Sequence, residues 1–419
     1  MYRLVKGFID FRKRNMMRLL HTADWHLGKK LGTFSRIEEQ VKVLEEIVAI
    51  AEAQQVDAVL IAGDIFDSAN PPTEALELFY STVKRLSDEG RRLVVAIAGN
   101  HDSPDKIDAP DPLARASGIL FMGYPHAVIR PVSLSSGLAI LKSDAGFIEV
   151  QLPGTEVPLR LLLCPYANEV RLRQFLGIED KEAALNELLQ QRWQDTAAQY
   201  MDDKGVNVLV AHLFMVARGA EIPEEPEGEK PIKIGNADLV YTDIIPEAIQ
   251  YSALGHLHRH QHVSGHKSPA VYSSSPLAYS FSEAGQQKYV CLVEVAPGAE
   301  ASVTHIPLQS GRALHRKTFV GADTAISWLL DHPYSLVELT IKSDTFLQAE
   351  ELRRIQQAHD GIIQVIPQVS HKNAAEQEVR QINIEQDIRS LFADYFRSRH
   401  RQEPNEDILN LFNEILQQK

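Results

Sequence analysis

Two cysteines in 419 residues, Cys164 and Cys291, are too few for a disulfide framework, and neither sits in a Cys-x-x-Cys motif. That scarcity suits a reducing cytosol. Cys164, inside the apolar run Leu161-Leu162-Leu163, reads as a buried core thiol. The chain also lacks any apolar run long enough to span a bilayer. Residues 1–16 carry Arg3, Lys6, Arg12, Lys13 and Arg14 but have no long apolar core and no small-residue cleavage site. They make a poor signal peptide and are expected to be an unstructured extension, with Met17 opening the first strand. Basic residues are in deficit, 43 Lys and Arg against 56 Asp and Glu, for a formal net charge of −13. This argues mildly against a free-standing nucleic-acid binder. It does not exclude a nuclease, because a groove can be locally basic, bound cations add charge, and a partner can supply basic surface.

What is present is a set of metal-ligand residues at the ends of apolar runs. The segments are Asp24-Trp25-His26, Gly63-Asp64-Ile65-Phe66-Asp67, Gly99-Asn100-His101-Asp102, Ala211-His212 and Gly255-His256-Leu257-His258. The runs before them, 18–20, 58–62, 93–98, 206–210 and 251–254, read as buried strands. Ligands distant in sequence therefore gather at strand ends, where open α/β sheets place their sites.

Length predicts two or three domains. Residues 17–290 read as one α/β domain with helical stripes over 36–54 (Ile37, Val41, Leu44, Ile47, Val48, Ala51) and 74–86 (Leu76, Phe79, Tyr80, Val83, Leu86). Residues 291–375 read as a small α+β capping domain: helix 323–330, strand 335–341, helix 347–358, strand 362–366. Residues 376–419 hold two short apolar helical patterns, 384–396 and 405–418, which are expected to dock on another protein. Segment 221–229, with five glutamates and two prolines, reads as a solvated loop.

These residue types suit phosphodiester chemistry. Two cations about 3.5–4 Å apart neutralise the phosphate, activate water and stabilise the leaving oxygen. Asp64 is the natural bridging carboxylate. Asp24 and His26, two apart in a segment expected to be extended, would chelate one ion, and His256 with His258 would repeat that geometry. Asn100 offers a neutral oxygen, and His101 is placed to protonate the leaving oxygen. Mixed His, Asp and Asn donors favour Mn²⁺, Fe²⁺ or Zn²⁺ over Mg²⁺. Asp67 and Asp102 are expected to orient ligands. His260, His262 and His266 read as surface histidines, and His21 and His126 as structural. A phosphatase or phosphodiesterase on small substrates is the rival enzyme; a metal-free scaffold is the rival of another class.

In this order the motifs resemble the calcineurin-like metallophosphoesterase superfamily. The fuller pattern, with Leu27-Gly28, Pro71-Pro72, Ser103 and Ala253-Leu254, is similar to the SbcD family of double-strand-break repair nucleases. The resemblance implies a two-sheet sandwich flanked by helices, a capping domain and a C-terminal helix pair. It implies two Mn²⁺ ions (Mg²⁺, Fe²⁺ or Zn²⁺ being possible). Asp24, His26, Asp64 and His258 would hold one, and Asp64, Asn100, His212 and His256 the other, with His101 catalytic. It also implies an SbcC-like coiled-coil ATPase partner on the tail helices, a dimer of each component, and no nucleotide on this chain itself. The activity implied is ATP-dependent 3′–5′ degradation of double-stranded DNA ends and hairpin cleavage. The chain departs from the family at Ser273-Ser274-Ser275-Pro276, where a glycine usually precedes the serine, and in the acidic loop after His212.

Overall fold

Each apolar run before a motif forms a strand buried on both faces, and the alternation of its side chains divides the interior in two. The computed structural model describes residues 15–177, 180–223, 239–343 and 347–369, together with Phe392, Phe396, Pro404, Leu409 and Phe412. In chain order the strands of the two large sheets are β1 (Met17–Thr22), β2 (Ala58–Ala62), β3 (Leu93–Ile97), β4 (Ile119–Met122), β5 (Ala139–Asp144), β6 (Phe147–Gln151), β7 (Leu159–Cys164), β8 (Val206–His212), β9 (Tyr251–Gly255), β10 (Gln261–Val263), β11 (Ala270–Tyr272), β12 (Tyr289–Val295) and β13 (Ser302–Pro307). The first sheet has the order β13-β12-β1-β2-β3-β4 and the second β10-β11-β9-β8-β7-β6-β5. Strands β1 to β4 run parallel, as do β7, β8, β9 and β11, so their C-terminal ends lie on one side of each sheet.

Leu19, Leu60 and Val95 face the space between the sheets, where they meet Ile148, Leu161, Val208 and Ala253. Their neighbours Leu20, Val59, Ile61 and Val94 face outward, under the helices α1 (Ile37–Ala53) and α2 (Thr73–Leu86). A strand covered on both faces must be apolar at every position, which is why these runs do not alternate in sequence. Helix α3 (Lys181–Tyr200) covers the second sheet with Leu185, Leu189 and Trp193. Each Val, Leu or Ile fully buried in this way contributes roughly 1.5–3 kcal/mol.

Three details differ from the sequence reading. In α1, Val41 is 36% exposed whereas Val43 is buried, together with the polar Glu39 and Gln40. The helix is rotated because those two polar side chains have partners inside the protein: Gln40 bonds the His26 carbonyl and Glu39 pairs with Arg36. Strand β12 pairs with β1 and β13 with β12, so the first sheet continues to Pro307, past the division expected at 290. The following module also has a strand the sequence reading did not single out.

That module is a three-stranded sheet, β14 (Ala313–Val320), β15 (Ser335–Ser343) and β16 (Ile362–Val369) in that order, with helices α4 (Ala322–Leu330) and α5 (Ala349–Ala358). Its own core gathers Ala325, Leu329, Val337, Leu339 and Ile355. Leu314 and Leu336 pack with Leu31 and Phe281, which seats the module on the sandwich. The chain divides into two compact units, one comprising Met1–Ile341 with Leu347–Pro367, the other Lys342–Phe346 with Gln368–Lys419. In the second unit the rings of Phe392 and Phe412 stack at 4.0 Å. The rest of the expected tail helices, residues 1–14 and the acidic loop from 224 to 229 lie outside the described residues. Among the described residues, no helix is long and apolar enough to cross a membrane.

Candidate metal centre

The motifs meet where the C-terminal ends of β1, β2, β3, β8 and β9 converge. The loops after β1 and β2 are joined by backbone hydrogen bonds from Asp24 N to Gly63 O (3.0 Å), His26 N to Asp64 O (3.0 Å) and Leu27 N to Ile65 O (2.9 Å). Asp24, His26 and Asp64 have φ of 55°, 43° and 45°, and His256 has 114°. Asp24 and His26 are thus not in the extended segment expected. They share a side of the chain because a left-handed turn, held by the neighbouring loop, puts them there. Such backbone costs about 1–3 kcal/mol per residue and persists only where the surroundings enforce it.

Three overlapping groups result, each with ligand atoms within 4.8 Å of one another: Asp24, His26 and His258; His26, Asp64 and His101; and Asp64, His212 and His256. His256 and His258 therefore diverge, one to each end, rather than sharing a position. The Nε2 atoms of His26 and His258 lie 3.0 Å apart. The Asp64 Oδ2 sits between the two ends, 3.7 Å from His26 Nε2 and 3.3 Å from His212 Nε2. Asn100 joins through Oδ1, 2.9 Å from His212 Nε2. All eight expected site residues are brought together.

The donor set fits divalent metal. The Asp24 Oδ2 is buried with no hydrogen-bond partner, a cost that a cation would remove. Burial pushes the Asp24 carboxyl up to about 7. Burial acts the same way on Asp64, but His212, His26 and His101 outweigh it and hold that carboxyl well below the usual range. Burial would lower His212, yet Asp64, Asp24 and the Ala62 carbonyl raise it to about 9.

Residues beyond the ligands themselves hold this arrangement. The Asp102 carboxylate accepts from the backbone N–H groups of Ile65 (3.0 Å), Phe66 (2.9 Å) and Gly99 (2.8 Å), tying the loops after β2 and β3 together. Gln40 donates to the His26 carbonyl at 2.8 Å and accepts from Gly28 N at 3.0 Å. His258 Nδ1 lies 3.3 Å from Glu283 Oε1, and Lys288 donates to Glu283 Oε2 at 2.5 Å. Burial would raise Glu283, but Lys288 and His258 hold it well below the carboxylate range. Glu283 and Gln40 were missed as site residues. The Ser280-x-x-Glu283 spacing of a capping box was a signal for Glu283; nothing local marked Gln40. Asp67 stands at the rim, with its Oδ1 3.8 Å from His26 Nδ1 and 3.1 Å from Lys29 Nζ.

The calcineurin-like phosphoesterase family model matches residues 17–259. The chain is 35% identical over 408 residues to the D subunit of the nuclease SbcCD of Bacillus subtilis, covering 95% of this chain and 97% of that one. It is 34% identical to the protein of the same name from Rhodobacter capsulatus (70% and 69% covered) and 32% to that of Escherichia coli (69% and 68%). The chain belongs to the calcineurin-like phosphoesterases and, among them, to the D subunits of the SbcCD nucleases. As a member, it binds divalent metal.

Two outcomes are expected. Ser274 has φ 91° and is 1% exposed; its hydroxyl accepts from Tyr289 N at 2.9 Å. Ser274→Ala keeps the strain and loses that bond, so urea unfolding should show a loss of about 1–3 kcal/mol; Ser274→Gly should lose less. Metal uptake should release protons, because Asp24 and His212 must both be deprotonated to ligate. Apparent affinity should rise with pH up to about 9 and then level off, as measured by calorimetry in buffers of different ionisation enthalpy.

Proposed function

We propose that this chain is the two-metal DNA nuclease component of a larger assembly. Asp24, His26, Asp64 and His258 hold one Mn²⁺; Asp64, Asn100, His212 and His256 hold the other. The observation that carries this reading is the position of the Asp64 carboxylate between two groups of ligands, with His101 beside it. When bound, the cations neutralise the phosphate and lower the pKa of water.

The chain's own residues do the rest. The His101 Nδ1 lies 2.8 Å from the Asp67 carbonyl, which sets the tautomer with the proton on Nδ1 and turns Nε2 to the reacting phosphate. His101 N donates to Asp64 Oδ1 at 2.8 Å, so the catalytic imidazole and the shared carboxylate are positioned by one bond. In its doubly protonated form, with Nδ1–H kept on the Asp67 carbonyl, His101 gives the Nε2 proton to the leaving oxygen or stabilises its charge. It opens on a cleft of about 490 Å³ lined also by Lys29 with Asp67, by Lys30 and Ser280 and, from the capping module, by Arg316 with Glu338. A cleft walled by two modules suits a polymer better than a small phosphomonoester.

The relatives' names support one part of this reading, a subunit of a nuclease; the cytosol as its setting and double-stranded DNA ends and hairpins as its substrate belong to the proposal. The tail docks the partner, a coiled-coil ATPase, and the assembly contains a dimer of each component. The Phe392–Phe412 stack supports a tail whose two apolar segments meet each other.

Mn²⁺-dependent degradation of an end-labelled duplex, with Asp64→Ala as blank, tests the function. Turnover of a small phosphodiester with no cleavage of DNA, with or without partner and ATP, would overturn it. His101→Ala should lower kcat by about 10²–10⁴ while metal analysis still finds both ions; loss of metal would refute the assigned role. Deleting residues 384–419 should leave metal content unchanged and abolish co-elution with the ATPase on sizing chromatography.

A further inference from the structure

A second cluster of ligand side chains lies at the lateral edge of the sandwich, apart from the residues assigned above. Cys291 on β12 and His305 on β13 are register partners on adjacent strands, so their side chains share one face of the first sheet. His260 reaches them from the second sheet, just before its edge strand β10. One ligand atom from each of the three falls within 4.8 Å of the others.

We propose that His260, Cys291 and His305 form a binding site for one borderline-soft divalent cation, with Zn²⁺ as the best match. The Cys291 Sγ is 3.7 Å from His305 Nδ1. Tetrahedral zinc, with bonds of about 2.3 Å to sulfur and about 2.0–2.1 Å to nitrogen, sets those two atoms about 3.6 Å apart. His260 Nδ1 is 3.0 Å from the Tyr272 carbonyl, which fixes its proton there and presents Nε2 as a lone pair. His305 Nε2 is 3.3 Å from His262 Nε2, so donation to His262 leaves Nδ1 as the lone pair facing the thiol. Tyr251 bonds the Cys291 sulfur and also lies 2.8 Å from His21 Nδ1. Each ligand thus has an outer partner that orients it, as metal ligands do.

Cys291 is buried and the two histidines are half-buried, so an ion has a dry floor and an open approach. Thiolate with imidazole selects zinc over manganese, whereas the main centre pairs imidazole with oxygen donors and has no sulfur. His260 lies two residues beyond His258. A bound ion would clamp the edge of the first sheet to the segment that carries that main-centre residue.

The test is a Co²⁺ titration of the metal-stripped full-length protein, followed by absorption. Cobalt bound to thiolate gives an intense near-ultraviolet charge-transfer band, and none of the main-centre residues has sulfur. The band should saturate at one Co²⁺ per chain. It should persist in Asp64→Ala, vanish in Cys291→Ser, and need about tenfold more cobalt or more in His305→Ala. His305→Ala should keep its Mn²⁺-dependent activity near the wild-type rate. His305 is on an edge strand, so this variant decides the matter if Cys291→Ser fails to fold. Cobalt binding without a thiolate band, or a band that survives Cys291→Ser or is unmoved in His305→Ala, would overturn the site.

Discussion

The two sheets touch at one end, and the centre exists because they do. Packed sheets ordinarily stand about 10 Å apart, with side chains filling the gap. At the ends of β2, β8 and β9 that filling is gone. The Ala62 carbonyl accepts from His212 Nδ1 at 2.9 Å, and a Cβ on Gly255 would lie 1.8 Å from the same oxygen. A Cβ on Gly99 would lie 2.1 Å from Asp64 Oδ1. The glycines beside the ligands are therefore spaces that other ligands and carbonyls occupy. A side chain at Gly255 would wedge the sheets apart and separate the first sheet's ligands from the second's, and one at Gly99 would displace the Asp64 carboxylate.

Bringing so many polar groups together in a dry interior is unfavourable in itself. The fold offsets the cost with backbone and buried charge: three N–H groups on Asp102, Lys288 on Glu283, and Gln40 on the turn that carries His26. These contacts hold the left-handed turns in place. What remains unbalanced, above all the Asp24 oxygen, is what an ion satisfies.

Much of this was legible in the chain. A strand covered on both faces announces itself as a continuous apolar run, and a ligand just beyond it needs no long-range information to be noticed. The order of the five motifs then fixed the class. The exceptions have one cause in common. The rotation of α1 that buries Val43 rather than Val41, the turn at Asp24, the parting of His256 from His258 and the place of Gln40 all depend on what lies opposite in space. Periodicity reports the exposure of an element, not its neighbour across the core. The sheet boundary was misjudged for the same reason: β12 pairs with β1, about 270 residues earlier in the chain, and β13 follows on β12. Ser274 was singled out as an expected departure from the family pattern, and its φ of 91° is one that glycine adopts without strain.

Trp25 stands between Asp24 and His26 in the chain, wholly buried, with its indole N–H on Thr22 at 3.0 Å and its ring edge-on to Phe79. It is one of three tryptophans, and the other two, Trp193 and Trp328, belong to α3 and the capping module. The turn that supplies two ligands is built around a fluorophore, so any shift of that turn would register in the protein's own emission, with no label attached.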